Sequence, residues 1–514
     1  MTFAFLLPLL FVGAGVASSH PRWRWQAQVL AAHVSLIGLL LAPIVIFTTF
    51  WLAATPLTLQ TGLSAIMQLL VVVMAWVLIR FSRHYMGTEE RQDHYYRWLL
   101  FTLGAVLVTV SSSHLLIIWG GWVGISMGLH ALLTFYPERY RAVLAAHKKF
   151  LLARMAEVLL LVAFWLLSEV YQSWDLATIL ARVDSQLVWQ EQAAALLIAL
   201  VALMKCAQLP VHGWLMQVVE APTPVSALLH AGIINLGGYL VLIFYPLLQH
   251  STPALWLLLI VAGLTTVISA LIMTTRVSVK VRLAWSTSAQ MGLMLVECAL
   301  GLYELAVLHL LTHSLYKAYA FLQSSSAVQE HLLLQAAPDD TPKPWHWLVA
   351  GVLGTMLTIA AILLSAYQGP IAPWLLLAFA LSLYLAQALT TPQPAHWWQL
   401  LGMGILIGVG YSLGKLAFGE LLGSETLLRQ AALSGADVWV ISLFVTLFVL
   451  ALALRYRAHR PWVQRLSIAL FAGFYLDEWF TKITLRLWPV TLPGRTQSHT
   501  RAQAFQSPYK GEKL

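Results

Sequence analysis

The chain has 514 residues, of which 60% are hydrophobic and only 10% are charged. These charges are too few to cover a water-soluble globule of this size, and we therefore predict an all-α, polytopic membrane protein in a lipid bilayer. The net charge of +9 comes mostly from basic residues in loops. Loop charges of this kind are a topology signal, so no nucleic-acid partner is implied.

Apolar stretches of near twenty residues predict about fifteen transmembrane helices. In chain order the predicted spans are 2–17, 27–50, 60–81, 97–112, 113–134, 148–168, 193–208, 225–247, 254–275, 283–301, 304–327, 346–366, 373–390, 398–420 and 436–456. Loops after even-numbered spans hold only Arg182 and Arg429, whereas most other basic residues, including Lys148 and Lys149, are assigned to the opposite side. This asymmetry predicts that the N-terminus lies outside and the C-terminus in the cytoplasm.

The span map predicts five parts of the chain. They are N-terminal transmembrane helices (1–96), a first helix bundle (97–247), a second bundle with the following helices (254–420), a last transmembrane helix (436–456) and a cytoplasmic amphipathic segment with a disordered tail (461–514). Within the last part, residues 461–488 have the composition of either an interfacial helix or a docking surface. There is no room for a soluble catalytic domain, so any chemistry lies between helices or with a partner.

The run HLLTHSLYK places His309, His313 and Lys317 on one face of an apolar helix, because residues four apart are only about 40° out of line. Ionisable groups within a membrane are costly and usually mark an ion pathway. Two histidines four residues apart also fit a metal site, and a purely structural polar seam is a third interpretation. We favour a proton-conducting face, since histidine titrates near neutral pH.

Lys205 lies near the end of an apolar span that Pro210 interrupts. Interrupted membrane helices commonly line cavities or binding sites, although a lysine at a helix end can also extend to the interface. His230 follows the helix start marked by Pro222 and Pro224, where a simple interhelical hydrogen bond is the structural alternative.

Glu157 is three residues after Arg154 in another span. The two side chains can neutralise each other, or Glu157 can serve as the counter-ion of Lys205. A second candidate pathway is Lys415 with Glu420, for which extension of the lysine to the interface is equally compatible with the sequence.

Three stretches in this order resemble the central region of a known family: KCAQLPVHGWLMQVVEAPTPVSALLHAG, KVRLAWSTSAQMGL and LAVLHLLTHSLYKAYAFL. The family comprises the proton-conducting subunits of respiratory complex I and of multisubunit sodium/proton antiporters. The resemblance implies an antiporter-like fold with two inverted five-helix repeats, each containing a broken helix. It also implies a proton pathway through Glu157, Lys205, His230, His309, His313 and Lys317.

Two departures from that family are visible. A family glutamate in the fifth helix is replaced at Val123, and a later lysine-bearing broken helix is missing. These two departures, and the sequences AWSTSAQMGL and THSLYKAYAFLQSSSAV, resemble a stand-alone branch of the family that serves Dab-type inorganic carbon accumulation.

The similarity to that branch implies a multi-pass subunit of the bacterial inner membrane that is not itself an enzyme. It implies that the subunit binds a large zinc protein, DabA, similar to β-carbonic anhydrases, and that a cation gradient drives hydration of CO2 to bicarbonate there. We favour the proton as the coupling ion, because the available groups are lysine and histidine and not a cage of oxygen ligands. No cofactor is expected in this chain, since the zinc belongs to the partner. The alternatives are a proton-pumping subunit of a complex I-like or antiporter assembly, an intramembrane zinc hydrolase and a structural scaffold.

Overall fold

The structure, a computed structural model, describes residues 6–20, 26–52, 59–326, 342–364, 370–390 and 434–489, with residue 332 and scattered positions between 402 and 414. The regular elements of these residues are helices, as predicted. The first twelve are α1 (Leu6–Ala17), α2 (Ala27–Leu52), α3 (Leu59–Tyr85), α4 (Gln92–Ser111), α5 (Leu115–Leu133), α6 (Tyr140–Tyr171), α7 (Leu176–Leu180), α8 (Trp189–Lys205), α9 (Gly213–Gln217), α10 (Thr223–Ala231), α11 (Leu236–Ile243) and α12 (Tyr245–Leu248). The others are α13 (Thr252–Met273), α14 (Val279–Ala299), α15 (Tyr303–Leu322), α16 (Pro344–Leu364), α17 (Ala372–Ala388), α18 (Gly435–Tyr456), α19 (Pro461–Phe471) and α20 (Glu478–Leu487).

Eight helical segments among the described residues are long and apolar enough to cross a membrane, judged by length and composition. They belong to α2, α3, α5, α6, the α10–α11 pair, α13, α16 and α18. Helices α14 and α15 have sufficient length but carry several polar residues, which lower their hydropathy. The membrane fold is therefore confirmed, while the number of spans, the inverted repeats and the side on which each terminus lies stay predictions.

The centre of the molecule is the interrupted pair α10 and α11. Every residue of α10 is buried, and α10 begins at the prolines that the sequence singled out. A short 3-10 turn at Ile233–Asn235 separates it from α11. Helix α15 packs against α10, and α8 packs against α11 and α6. The helices that carry the predicted site residues thus surround one buried element.

The last described region, residues 461–488, forms two short helices instead of one. A turn at Gly473–Tyr475 connects α19 to α20, and its three residues all have positive φ angles. Both helices pack back onto the chain, α19 against α13 and α18, and α20 against α6. This packing involves the chain's own helices, so the interfacial helix and the docking surface both stay predictions.

Candidate functional site

The interruption of the helix after α8 positions Lys205. Helix α8 ends at this residue, and Pro210 supplies no backbone N–H to continue it. The freed backbone groups are held by side chains: the Leu209 N–H donates to Thr265 Oγ1 at 3.1 Å, and Ser288 Oγ donates to the carbonyl oxygen of Ala207 at 3.0 Å. Satisfying these groups from neighbouring helices allows a broken helix to persist in an apolar environment.

Lys205 faces an aromatic ring and a second lysine. Its Nζ lies 4.6 Å from the ring centroid of Trp122, the residue before Val123. A small cavity of about 30 Å³ is lined by Lys205 and Lys149, with Trp122 and Trp214 among its other walls. A cavity of this size can hold an ordered water, and so the two ammonium groups share a site where a proton can be exchanged.

Glu157 pairs with Arg154 rather than with Lys205. Arg154 Nη2 lies 2.8 Å from Glu157 Oε1 and 2.5 Å from Ser126 Oγ. No ion pair within 4 Å joins Glu157 to Lys205, although both lie in the described part of the chain and interact electrostatically over a longer distance. Of the two interpretations, the direct ion pair is the one with Arg154, one turn earlier on the same helix, and the role of Glu157 as counter-ion of Lys205 stays a prediction.

Lys148 and Lys149 were assigned to a loop from the charge distribution, and the structure corrects this. Both lie within α6 and are buried. Lys149 Nζ donates to the carbonyl oxygen of Ser126 at 2.8 Å, and Lys148 Nζ lies 2.6 Å from Asp477 Oδ2. We call Lys149, Arg154, Glu157 and Lys205 the lysine cluster.

His230 and Lys317 come together from α10 and α15. His230 Nδ1 lies 3.1 Å from Thr287 Oγ1, and its ring stacks on Phe321 with centroids 4.3 Å apart. Lys317 is fully buried, and its Nζ donates to Ser286 Oγ at 2.8 Å. The partners of both groups are neutral, so neither group is fixed by an opposite charge at these contacts.

His313 and His309 extend this arrangement along α15. Their ring centroids are 6.2 Å apart, and His313 interacts electrostatically with Lys317, His309 and His230. Within the described residues, both ring nitrogens of His313 are buried without a hydrogen-bond partner. Because buried polar atoms are normally hydrogen-bonded, we expect a water molecule to bridge this imidazole to its neighbours.

Glu297 on α14 is a site residue that the sequence analysis missed. Its Oε2 lies 2.9 Å from His309 Nδ1, while His309 Nε2 lies 2.9 Å from Gln290 Oε1. The ionised carboxylate can only accept, so Nδ1 donates to it. A search for acids near the histidines would have found Glu297, but nothing local in the sequence aims it at α15. We call Glu297, His309, His313, Lys317 and His230 the histidine file.

The structure therefore brings four of the six predicted residues into the histidine file and the other two, Glu157 and Lys205, into the lysine cluster. No hydrogen bond or ion pair joins the two groups in the portion described here. Across those same residues, no cluster of three or more His, Cys, Asp or Glu side chains fits a metal ion. Lys415 and Glu420 lie outside the described residues.

Comparisons with known proteins agree with this architecture. Residues 112–337 match the family model described as the transmembrane region of NADH:quinone oxidoreductase and Mrp antiporters. A probable inorganic carbon transporter subunit DabB of Hydrogenovibrio crunogenus is 44% identical over 95% of both chains. DabB2 of Halothiobacillus neapolitanus, with the same description, is 34% identical over 83% of this chain and 80% of its own.

A solved structure shows the same fold. The Mrp complex of Dietzia sp. DQ12-45-1b contains a chain that superposes with a TM-score of 0.64 at 20% identity. The match covers 98% of this chain and 62% of that one, so this chain spans less than two thirds of the Mrp protein. The chain belongs to the DabB family, and it is an ion-coupled membrane subunit of antiporter-like fold that works within a multi-subunit assembly.

Proposed function

We propose that this chain conducts protons through the membrane and uses their flow to energise inorganic carbon uptake. The observation that carries the proposal is the histidine file, in which five titratable side chains from three helices follow one another inside the protein. Two relatives of the chain are described as probable subunits of inorganic carbon transporters. Ionisable groups in an apolar interior are costly and usually mark an ion pathway.

The chemistry of the file favours the proton over the sodium ion. Nitrogen atoms of lysine and histidine predominate, whereas hard cations such as sodium prefer a cage of oxygen ligands. Histidine can accept a proton on one ring nitrogen and release one from the other. Glu297 and His309 form one end of the file, and Lys317 and His230 form the other.

A partner protein would carry out the carbon chemistry. We propose a zinc protein similar to β-carbonic anhydrases, of the DabA type, in which CO2 and water yield bicarbonate and a proton. The zinc would be held by that partner, and no cofactor is assigned to this chain. Each proton moved through 100 mV supplies about 2.3 kcal/mol, which can make the hydration directional.

Growth at ambient CO2 tests this function. A bacterial host without carbonic anhydrase would express the full chain with its genomic neighbour, with and without an uncoupler. We expect growth that is lost on uncoupling, and loss of growth in a Lys317→Met variant. Growth that survives the uncoupler would contradict a gradient-driven role. Co-purification with quinone-reductase or several small antiporter subunits, and not with a single zinc protein, would support the proton-pumping alternative.

A further inference from the structure

The segment 461–488, which we call the C-terminal clasp, covers one end of the helices that hold the lysine cluster. Asp477 at the start of α20 lies 2.6 Å from Lys148 Nζ, and Arg276 Nη2 donates to the carbonyl oxygen of Leu470 at 3.2 Å. Trp488 stacks on His147 with centroids 3.8 Å apart. The clasp is thus attached at both of its helices.

Asp477 is seated against the interruption that follows Lys205. Gln217 Nε2 donates to its Oδ2 at 3.2 Å, whereas its Oδ1 is buried and has no hydrogen-bond partner in the described residues. Oδ1 occupies the space that a Cβ would take at Gly213, so only glycine permits this approach. The carboxylate is therefore held in place through one oxygen, while the other remains available for a proton.

A cavity of about 200 Å³ adjoins the carboxylate. Its lining includes Asp477, His212, Arg276 and Trp285. His212 is buried, its Nδ1 has no hydrogen-bond partner in the described structure, and it interacts electrostatically with Asp477 and Lys148. The cavity is large enough for several waters and brings them to the carboxylate.

Lys148 connects this position to the lysine cluster. Lys148 and Lys149 are consecutive on α6, so their side chains leave the helix about 100° apart. Lys148 faces Asp477, and Lys149 lines the small cavity that it shares with Lys205. Trp214, next to Gly213, closes that same small cavity. The clasp carboxylate and the lysine pair thus contact neighbouring residues of α6.

We propose that Asp477 is a proton-entry residue for the lysine cluster. A proton from water in the larger cavity binds the Asp477 carboxylate, weakens the hold of Oδ2 on Lys148, and passes through His212 or Lys148 and bridging water to Lys149 and Lys205. No bond other than those to the proton changes. The inference rests on the proposed function, because it needs proton flow through the lysine cluster.

If Asp477 only held the clasp in place, its variants would behave differently from those of a proton-transfer group. Asparagine keeps an oxygen for Lys148 and so preserves much of the fastening, but it cannot carry a proton. Glutamate keeps the carboxyl chemistry. Formate is a small carboxylate that takes up and releases protons, and the adjoining cavity, with Arg276 on its wall, has room for it.

The test uses the full chain co-expressed with its genomic neighbour in the carbonic anhydrase-deficient host. We expect Asp477→Asn to slow the initial rate of inorganic carbon accumulation by about tenfold or more, as removal of a positioned proton-transfer group does. Asp477→Glu should retain most of the rate, and added formate should restore Asp477→Asn. Asp184→Asn, which removes an exposed loop carboxylate, is the matched control.

For each variant, limited proteolysis of the clasp is measured alongside the rate of inorganic carbon accumulation. An Asp477→Asn variant with the wild-type rate of accumulation would overturn the inference. The inference would also be overturned if Asp477→Asn lost its rate, formate did not restore it, and the clasp of the variant was cleaved faster than that of the wild type. If Asp477→Asn is fully active while Lys317→Met is inactive, the entry lies elsewhere and the proposed function stands. If the wild-type chain accumulates inorganic carbon in the presence of an uncoupler, the proposed function itself fails.

Discussion

Replacing Lys317 with methionine separates transport from stability. Methionine keeps much of the side-chain volume but removes the ammonium group, which donates to Ser286 Oγ at 2.8 Å and to the Leu283 carbonyl at 3.1 Å. The Leu283 carbonyl keeps a second donor, the Thr287 hydroxyl at 2.9 Å, so only Ser286 loses its partner. That loss costs about 1–3 kcal/mol, while removing a buried charge regains about 2.5–3.5 kcal/mol. The free energy of unfolding should therefore fall by no more than about 0.5 kcal/mol and rise by no more than about 2.5 kcal/mol.

Transport should respond very differently, because Lys317 is the group that interacts with both His313 and His230. We expect inorganic carbon accumulation to fall to background while the detergent-solubilised protein unfolds at nearly the wild-type denaturant concentration. Lys280→Met is the matched control, since Lys280 Nζ also donates to a hydroxyl, that of Thr223 at 2.8 Å, but lies outside the histidine file. Near-normal accumulation in Lys317→Met would refute the reasoning, because protons would then bypass the file.

Three further substitutions test separate parts of the structure. Gly213→Ala should displace the clasp carboxylate and destabilise clasp docking by about 1–3 kcal/mol, which limited proteolysis would detect as faster cleavage. Gly120→Ala is the control and should leave cleavage unchanged, because no atom lies within 4 Å of the added Cβ. Equal cleavage of the two variants would contradict the close approach of Asp477 to Gly213. Arg154→Leu should lower the free energy of unfolding, measured by chemical denaturation, by about 3 kcal/mol, because Glu157 is left buried and unpaired. Adding Glu157→Leu should restore most of that free energy. No recovery in the double variant would show that loss of the ion pair is not the cause. Glu297→Gln should slow accumulation without loss of stability, because the amide still bonds the neighbouring imidazole but takes up no proton, and unchanged accumulation would remove this acid from the pathway.

Much of the fold follows from local patterns in the sequence. Long apolar runs predicted the helices because a membrane leaves few other ways to satisfy the backbone. Prolines at positions 210, 222 and 224 predicted where helices end and begin, since proline restricts its own φ angle and removes a donor. The shared face of α15 followed from helical periodicity alone, and the structure places His309, His313 and Lys317 along one side as expected.

The partners of those residues depend on contacts that no local pattern encodes. Asp477 lies far from Lys148 in the chain, and their pairing depends on the way the clasp folds back over α6. Two adjacent lysines near a helix start are typical of a loop, so charge counting placed Lys148 and Lys149 on the membrane surface. Glu297 was overlooked because its partner is on the next helix, and the facing sides of two helices are fixed only by tertiary packing.

The two deep lysines have a feature in common that bears on how protons move. Lys205 lies over the Trp122 ring, and Lys317 is bonded to a hydroxyl and a carbonyl, so neither has a carboxylate within 4 Å in the described residues. An ammonium group held by a carboxylate keeps its proton, whereas one held by neutral groups in an apolar interior is stabilised in its charged form far less. The carboxylate of Asp477 contacts Lys148 and that of Glu297 contacts His309, so neither acid pairs with Lys205 or Lys317. Moving either acid next to a deep lysine would therefore stop conduction even though it adds an ion pair.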